Sequence, residues 1–329
     1  MKQMMKDIGV SLIMGMVLPY LALRFGIAAE NLQPIQESTE IPTEARIYAD
    51  NSVYLPVCLR TEGNTVEQMN MDEYLVGVLL AEMPPSFSME ALKAQTVVAR
   101  TYARKAYATG GKHLDGSVCT NPSCCQGYLQ EEGYLKSGGR TESIDKIRSA
   151  VQATSGQVLT YNQELIEATY FSCSGGKTEA AVAVWGTDFP YLQSVESPGE
   201  EQATHYTDLV TFSPKEFADA LQIPMEEDPA KWVGDVTYTE GGGIQSMEIC
   251  GRMFTGTQLR NLLGLRSTAF SIAADQETVT VTSKGYGHRV GMSQYGAEAM
   301  ASAGASYEEI LMHYYRGTVL TQLQEEIYG

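Results

Sequence analysis

The stretch Tyr74–Ala103, YLVGVLLAEMPPSFSMEALKAQTVVARTYA, places a single carboxylate, Glu82, between two apolar helical runs and just ahead of the pair Pro84–Pro85. Asn70, with Glu73 three residues on, marks a helix start. The run MDEYLVGVLLAEM then ends before Pro84, because proline disfavours helix in the residue that precedes it. Ser88 opens a second helix, EALKAQTVVARTYARKAY, with Leu92, Val97 and Tyr102 among its apolar positions. Glu82 therefore falls at the junction of two helices, a natural lip for a cleft. Burial among apolar groups raises a glutamate's pKa toward the range in which it donates a proton near neutrality, as a general acid on a glycosidic oxygen must. A helix-terminal glutamate facing solvent is the competing reading.

Working outward, the 329 residues suffice for two compact domains or one elaborated domain, with a core that needs no staples. The net charge of −17 argues against nucleic acid and against tight binding of the folded part to anionic lipid. Near the N-terminus, Lys2 and Lys6 precede an apolar run from Ile8 to Leu23 that extends through Phe25 and Ile27, close to the roughly twenty residues a bilayer core requires. An uncleaved anchor with the bulk of the chain outside is expected. A cleaved signal peptide competes, but Arg24 stands where a small-residue cleavage site would be prepared. Residues 30–46 are polar, acidic and proline-containing, and read as a linker. The expected organisation is thus 1–29 tip and transmembrane anchor, 30–46 linker, 47–198 a lobe with Glu82 and the cysteine loop, and 199–329 a second lobe with the glycine-rich motif and a final helix. The fold class is α+β, with helices and antiparallel strands in a two-lobed ectodomain with a cleft, after an N-terminal transmembrane helix.

Three of the six cysteines crowd into residues 119–125. In KHLDGSVCTNPSCCQGY, His113, Cys119 and Cys125 are spaced H-x5-C-x5-C, and one imidazole with two thiolates suits tetrahedral zinc. Asn121, Pro122 and Ser123 supply the turn. Cys124 competes with Cys125 as a ligand, and the fourth position is open to water or to another side chain. Water there would make a metal-assisted hydrolase conceivable, although no base or oxyanion donor is visible beside the cluster.

Further motifs follow: FSCSGGKTE (171–179), VWGTDFPYLQSVESP (184–198), GYGHRVGMSQYGAEAMA (285–301) and HYYRGT (313–318). Taken in this order with Tyr74–Ala103, they resemble the stage II sporulation protein D family, related to the amidase enhancers, from about Val53 to Thr318. The resemblance implies a lytic transglycosylase cutting peptidoglycan glycan strands stripped of stem peptides. Glu82, in the AEMP motif, would be the catalytic residue. It would protonate the glycosidic oxygen and then take the proton of the muramyl 6-hydroxyl, so that one carboxylate suffices and a 1,6-anhydro end remains. Glu90 is the local alternative, better explained by the helix dipole. The resemblance also implies a structural zinc on His113, Cys119 and Cys125; Cys125 is preferred to Cys124 because the family pattern sets the metal cysteine directly before Gln-x-Tyr, here Gln126 and Tyr128.

Substrate-binding positions carried over are Lys93 and Arg100 on one helix face, Ser172 and Ser174 with Lys177 beside them, and His288, Gln294 and Tyr295. Phe171 stands where the family commonly has a histidine, so no role for a histidine transfers there; His313 is expected to be structural. The implied partners are glycan strands, a sporulation amidase and a multi-spanning membrane protein of the engulfment complex, at the mother-cell membrane facing the intermembrane space. A non-catalytic enhancer that binds peptidoglycan or an amidase is the alternative, since AEMP occurs in the enhancers as well.

Overall fold

The computed structural model describes residues 54–60, 63–109, 112–113, 115–225 and 228–323. Strands β1 (Tyr54–Leu59) and β2 (Thr65–Asn70) form an antiparallel hairpin that runs straight into helix α1 (Met71–Glu82). Asn70 caps α1 by accepting the Asp72 N–H at 2.9 Å. At the other end Met83 turns extended (φ −121, ψ 134), the conformation a residue before proline is pushed into. Tyr74, Leu75, Val78 and Leu79 of α1 are fully buried, and side chains of that kind contribute about 1.5–3 kcal/mol each on burial. Helix α2 (Met89–Ala108) starts after Ser88. Ser88 makes no side-chain cap of its own; its N–H and hydroxyl both donate to the carboxylate of Glu298, at 2.6 and 3.0 Å.

Strand β3 (Val118–Cys119) pairs in parallel with β1 and sets Cys119 opposite Cys58. Helices α3 (Glu131–Lys136) and α4 (Thr141–Ala153) follow, then β4 (Gln157–Tyr161), β5 (Glu164–Leu165), β6 (Tyr170–Phe171) and α5 (Ala181–Trp185). The next segment holds β7 (Thr207–Phe212), α6 (Pro214–Leu221), β8 (Val233–Tyr238), β9 (Ile244–Ile249), β10 (Arg252–Thr255), α7 (Gly256–Leu263), β11 (Ala269–Ala274) and β12 (Val279–Lys284). Its strands form two antiparallel sheets, β11-β12-β7 and β10-β9-β8. The chain ends with β13 (Met292–Ser293), α8 (Gln294–Ser302), α9 (Tyr307–Tyr314) and β14 (Val319–Gln322), the last pairing with β4.

Two hydrophobic clusters result. One gathers β1, α1, α2 and α4 together with Val290, Met292, Ala297 and the α9 residues Ile310, Leu311 and Tyr314. The other is built from residues 217–281, around Phe217, Trp232, Ile249 and Leu259. The C-terminal helices thus pack with the N-terminal half, brought there by the parallel pairing of β13 with β6, Met292 opposite Tyr170. A buried ion pair, Arg289–Glu179 at 3.2 Å, ties the segments together. Arg289 also donates to the carbonyls of Ser174, Lys177 and Gly241, each at 2.7 Å.

Helices and mainly antiparallel strands are mixed along the chain, but the expectation of a transmembrane helix is corrected. No helix among the described residues is long and apolar enough to cross a membrane. The longest, α2, carries Lys93, Arg100, Arg104 and Lys105 along its length, charges a bilayer core excludes. The assignment to the cell membrane as a single-pass protein falls with that helix. Residues 1–29 and 30–46, to which the anchor and the linker were assigned, lie outside the described residues.

Candidate active site

Glu82 closes α1 and is half-buried. Its Oε1 accepts the backbone N–H of Gly127 at 2.6 Å. A Cβ at 127 would stand 2.8 Å from Oε1, so a larger residue there would displace the carboxylate from this position. The segment carrying Gly127 lies flat on α1: the Leu129 N–H donates to the Gly77 carbonyl at 2.9 Å, and the Tyr128 ring occupies the space a Cβ at Gly77 would need. Burial raises the pKa of Glu82 above the ordinary carboxylate range, opposed in part by the Gly127 amide and the side chains of Gln294 and Tyr170. The Gln294 amide nitrogen is buried with no other acceptor in hydrogen-bond range among the described residues.

Behind the carboxylate runs a fixed chain of hydrogen bonds. Tyr74 donates to Gln126 Oε1 at 3.0 Å, and Gln126 Nε2 donates to the Tyr170 hydroxyl at 3.1 Å. Burial, then the nearby Glu82, push the Tyr170 phenol well above its usual pKa, so it stays protonated and able to donate to the carboxylate. The carboxylate of Glu82 is therefore held by oriented donors, an amide, a carboxamide and a phenol, which favour its ionised form, while burial favours the proton.

Tyr170 also links this acid to an aromatic platform. Its backbone accepts a hydrogen bond from His288, whose Nδ1 accepts the Val290 N–H at 3.1 Å. The imidazole meets the rings of Phe171 (5.7 Å between centroids) and Trp185 (5.3 Å). Burial, then the Arg260 charge, lower the pKa of His288 to about 4, so the ring is neutral at physiological pH. Trp185 is 43% exposed, whereas the chain's other tryptophan, Trp232, is buried.

The cysteine loop ends where the contacts of Glu82 begin, Cys125 preceding Gln126 and Gly127. An Asx turn at Asn121 brings the loop round: the Ser123 N–H donates to Asn121 Oδ1, and the N–H groups of Cys124 and Cys125 both donate to the Asn121 carbonyl, all at 2.9 Å. The donor atoms of His113, Cys119, Cys124 and Cys125 lie within 4.8 Å of one another. Burial opposes ionisation of the Cys119 thiol, but the Asn121 amide, Arg60 and His113 outweigh it and bring its pKa down to about 6. Burial pushes the Cys125 thiol up to about 11. The residues fit zinc, with one imidazole and up to three thiolates.

A family model described as Stage II sporulation protein matches residues 60–161, the span that holds Glu82 and all four of these donors. Stage II sporulation protein D of Bacillus amyloliquefaciens is 36% identical over 316 residues, spanning 93% of this chain and 90% of that protein. The chain belongs to the stage II sporulation protein D family. The stage II sporulation protein D of Bacillus subtilis (strain 168) is 38% identical over 275 residues, 82% of this chain and 79% of that one. An amidase enhancer of the same strain is 31% identical over 305 residues, 75% of this chain and 40% of the enhancer.

Of the positions carried over from the stage II sporulation protein D family, the fold brings Gln294 to Glu82 and His288 to the adjoining platform. Tyr295 packs edge-on against Phe87 at 5.1 Å, and the Ser172 carbonyl accepts its N–H. The remaining positions have partners within the chain. Arg100 is fully buried, donating to the Val151 and Gln157 carbonyls and pairing with Asp72 at 3.7 Å. Lys93 pairs with Glu90 at 2.7 Å and lies over the Tyr307 ring. Ser174 is buried, its N–H and hydroxyl both held by the Glu200 carboxylate at 2.7 Å. Lys177 faces Glu196 and Glu240. His313 bonds the Glu196 carbonyl. Sequence reading missed Tyr74, Gly127, Tyr170 and Trp185; only Gln126 and Tyr128 carried a signal, as the residues that follow Cys125. A cavity of about 550 Å³ lined by Asp72, Glu73, Tyr128, Glu131 and Arg148 does not include Glu82, so chemistry and not cavity size locates the site.

Proposed function

We propose that this chain is a peptidoglycan lytic transglycosylase that acts on glycan strands stripped of stem peptides during engulfment, with Glu82 as its single acid and base. The observation that carries the proposal is the environment of Glu82: a carboxyl raised by burial and biased by a backbone amide, a carboxamide and a phenol. Such a group gives its proton to the glycosidic oxygen as the C1–O bond breaks. The muramyl 6-hydroxyl oxygen then bonds to C1 and its proton passes to the Glu82 carboxylate, which restores the acid, consumes no water and leaves a 1,6-anhydro end. Tyr170 and the Gly127 N–H hold the carboxylate in place through both steps.

Zinc bound by His113, Cys119 and Cys125 would fix the loop that ends at Gln126 and Gly127. The chemistry it supplies there is structural cross-linking. The partners implied are a sporulation amidase and a multi-spanning membrane protein. The kinship with an amidase enhancer favours a second reading, a glycan-binding stimulator of an amidase. Mass spectrometry of purified glycan strands incubated with the full chain separates these readings: anhydro-ended fragments support the transglycosylase and reducing ends a hydrolase. Uncut strands together with a stimulated amidase support the enhancer.

Under the transglycosylase reading, Trp185 and His288 offer an apolar face on which a sugar ring stacks. Trp185→Ala is expected to raise KM for glycan strands by roughly tenfold with kcat unchanged, the worth of one lost stacking contact. A lowered kcat at unchanged KM would refute a platform role.

A further inference from the structure

We infer that Cys124 is a ligand of the same ion as His113, Cys119 and Cys125, so that the loop presents one imidazole and three thiolates and leaves no position for water. The inference rests on the zinc part of the reading above and changes its character, because a site closed by four protein ligands cannot activate a water molecule.

Geometry carries it. A tetrahedral ion with bonds of about 2.3 Å to sulfur and about 2.0 Å to nitrogen spaces its sulfurs roughly 3.8 Å apart, and sulfur from nitrogen roughly 3.5 Å. Cys124 Sγ lies 3.7 Å from His113 Nε2 and 4.0 Å from Cys125 Sγ, and Cys125 Sγ lies 3.5 Å from the same nitrogen. Both measured edges that include Cys124 match those of a tetrahedron, as the His113–Cys125 edge does. Adjacent side chains on an extended strand point to opposite faces and could not share an ion. Here the turn on Asn121, whose carbonyl takes the N–H of both cysteines, coils the backbone so that neighbouring thiols converge.

Charge agrees with geometry. Three thiolates on a dication leave one excess negative charge. Arg60 reaches Cys119, and Lys112 donates to the Cys124 carbonyl, so two cations stand beside the cluster to offset it. The ion so held would pin Cys124 and Cys125 as one unit, directly ahead of the Gln126–Gly127 segment that grips Glu82.

The test loads the full chain with one equivalent of Zn²⁺ for X-ray absorption and with Co²⁺ for absorption spectroscopy. Three sulfurs and one nitrogen are expected around zinc. In Cys124→Ser the near-ultraviolet thiolate-to-cobalt band should fall in the ratio of three thiolates to two. Metal affinity should drop by at least the ten- to hundredfold that loss of an outer-shell partner costs. Two sulfurs in the wild-type protein, or a Cys124→Ser spectrum identical to wild type, overturns the inference and leaves a three-ligand site standing. A wild-type protein that binds neither metal overturns the zinc reading as a whole. If Cys124→Ser does not fold, the wild-type sulfur count still decides.

Discussion

Glu82→Gln is expected to lower glycan-strand cleavage by two to four orders of magnitude, the range contributed by a positioned acid–base group, while glycan binding survives. The carboxamide keeps the shape and can still accept the Gly127 N–H now held at 2.6 Å, so only the titrating proton is lost. Two further readings follow from the raised pKa. As a proton donor Glu82 must be protonated in the free enzyme, so kcat/KM should hold below that pKa and fall about tenfold per pH unit above it. For stability, a carboxyl whose folded pKa exceeds its unfolded value contributes fully below the unfolded pKa and loses that contribution as pH rises through the folded one. Glu82→Gln, neutral throughout, should therefore unfold at or above the wild-type temperature at neutral pH. Cleavage within tenfold of wild type would remove Glu82 from the mechanism.

Arg289→Met is expected to cost about 3–5 kcal/mol of folding stability, lowering the melting temperature by on the order of 10 °C. The pair Arg289–Glu179 is almost wholly buried, and one Glu179 oxygen already lacks a partner among the described residues. Removing the guanidinium strands a buried carboxylate. It also releases the carbonyls of Ser174, Lys177 and Gly241 that Arg289 binds. The double variant Glu179→Gln with Arg289→Met should recover part of the loss, because no uncompensated charge remains. Denaturant unfolding of the full chain measures both, and a single-variant loss under 1 kcal/mol would show that the pair does not hold the two segments together.

Features that local chemistry controls were legible in the residues alone. Asn70 and Pro84 bound the first helix and set Glu82 at its end, because a cap and a proline act within one or two residues of the break. The grouping of His113, Cys119 and Cys125 was legible for the same reason: they lie on one loop, and the Asn121 turn is encoded in the residues between. What surrounds the carboxylate depends on long-range packing. Tyr170 and Gln294 come together because the short strands Tyr170–Phe171 and Met292–Ser293 pair in parallel across more than a hundred residues, a pairing no hydrophobic period announces. Arg100 and Ser174 were carried over as cleft residues from the family resemblance. The fold buries them and satisfies them with the Val151 carbonyl and the Glu200 carboxylate, since burial depends on what long-range packing lays over a side chain and not on its type. Cys124 shows the same division: its sequence neighbours made it a rival of Cys125, and the coiling of the backbone at Asn121 brings both thiols to one centre.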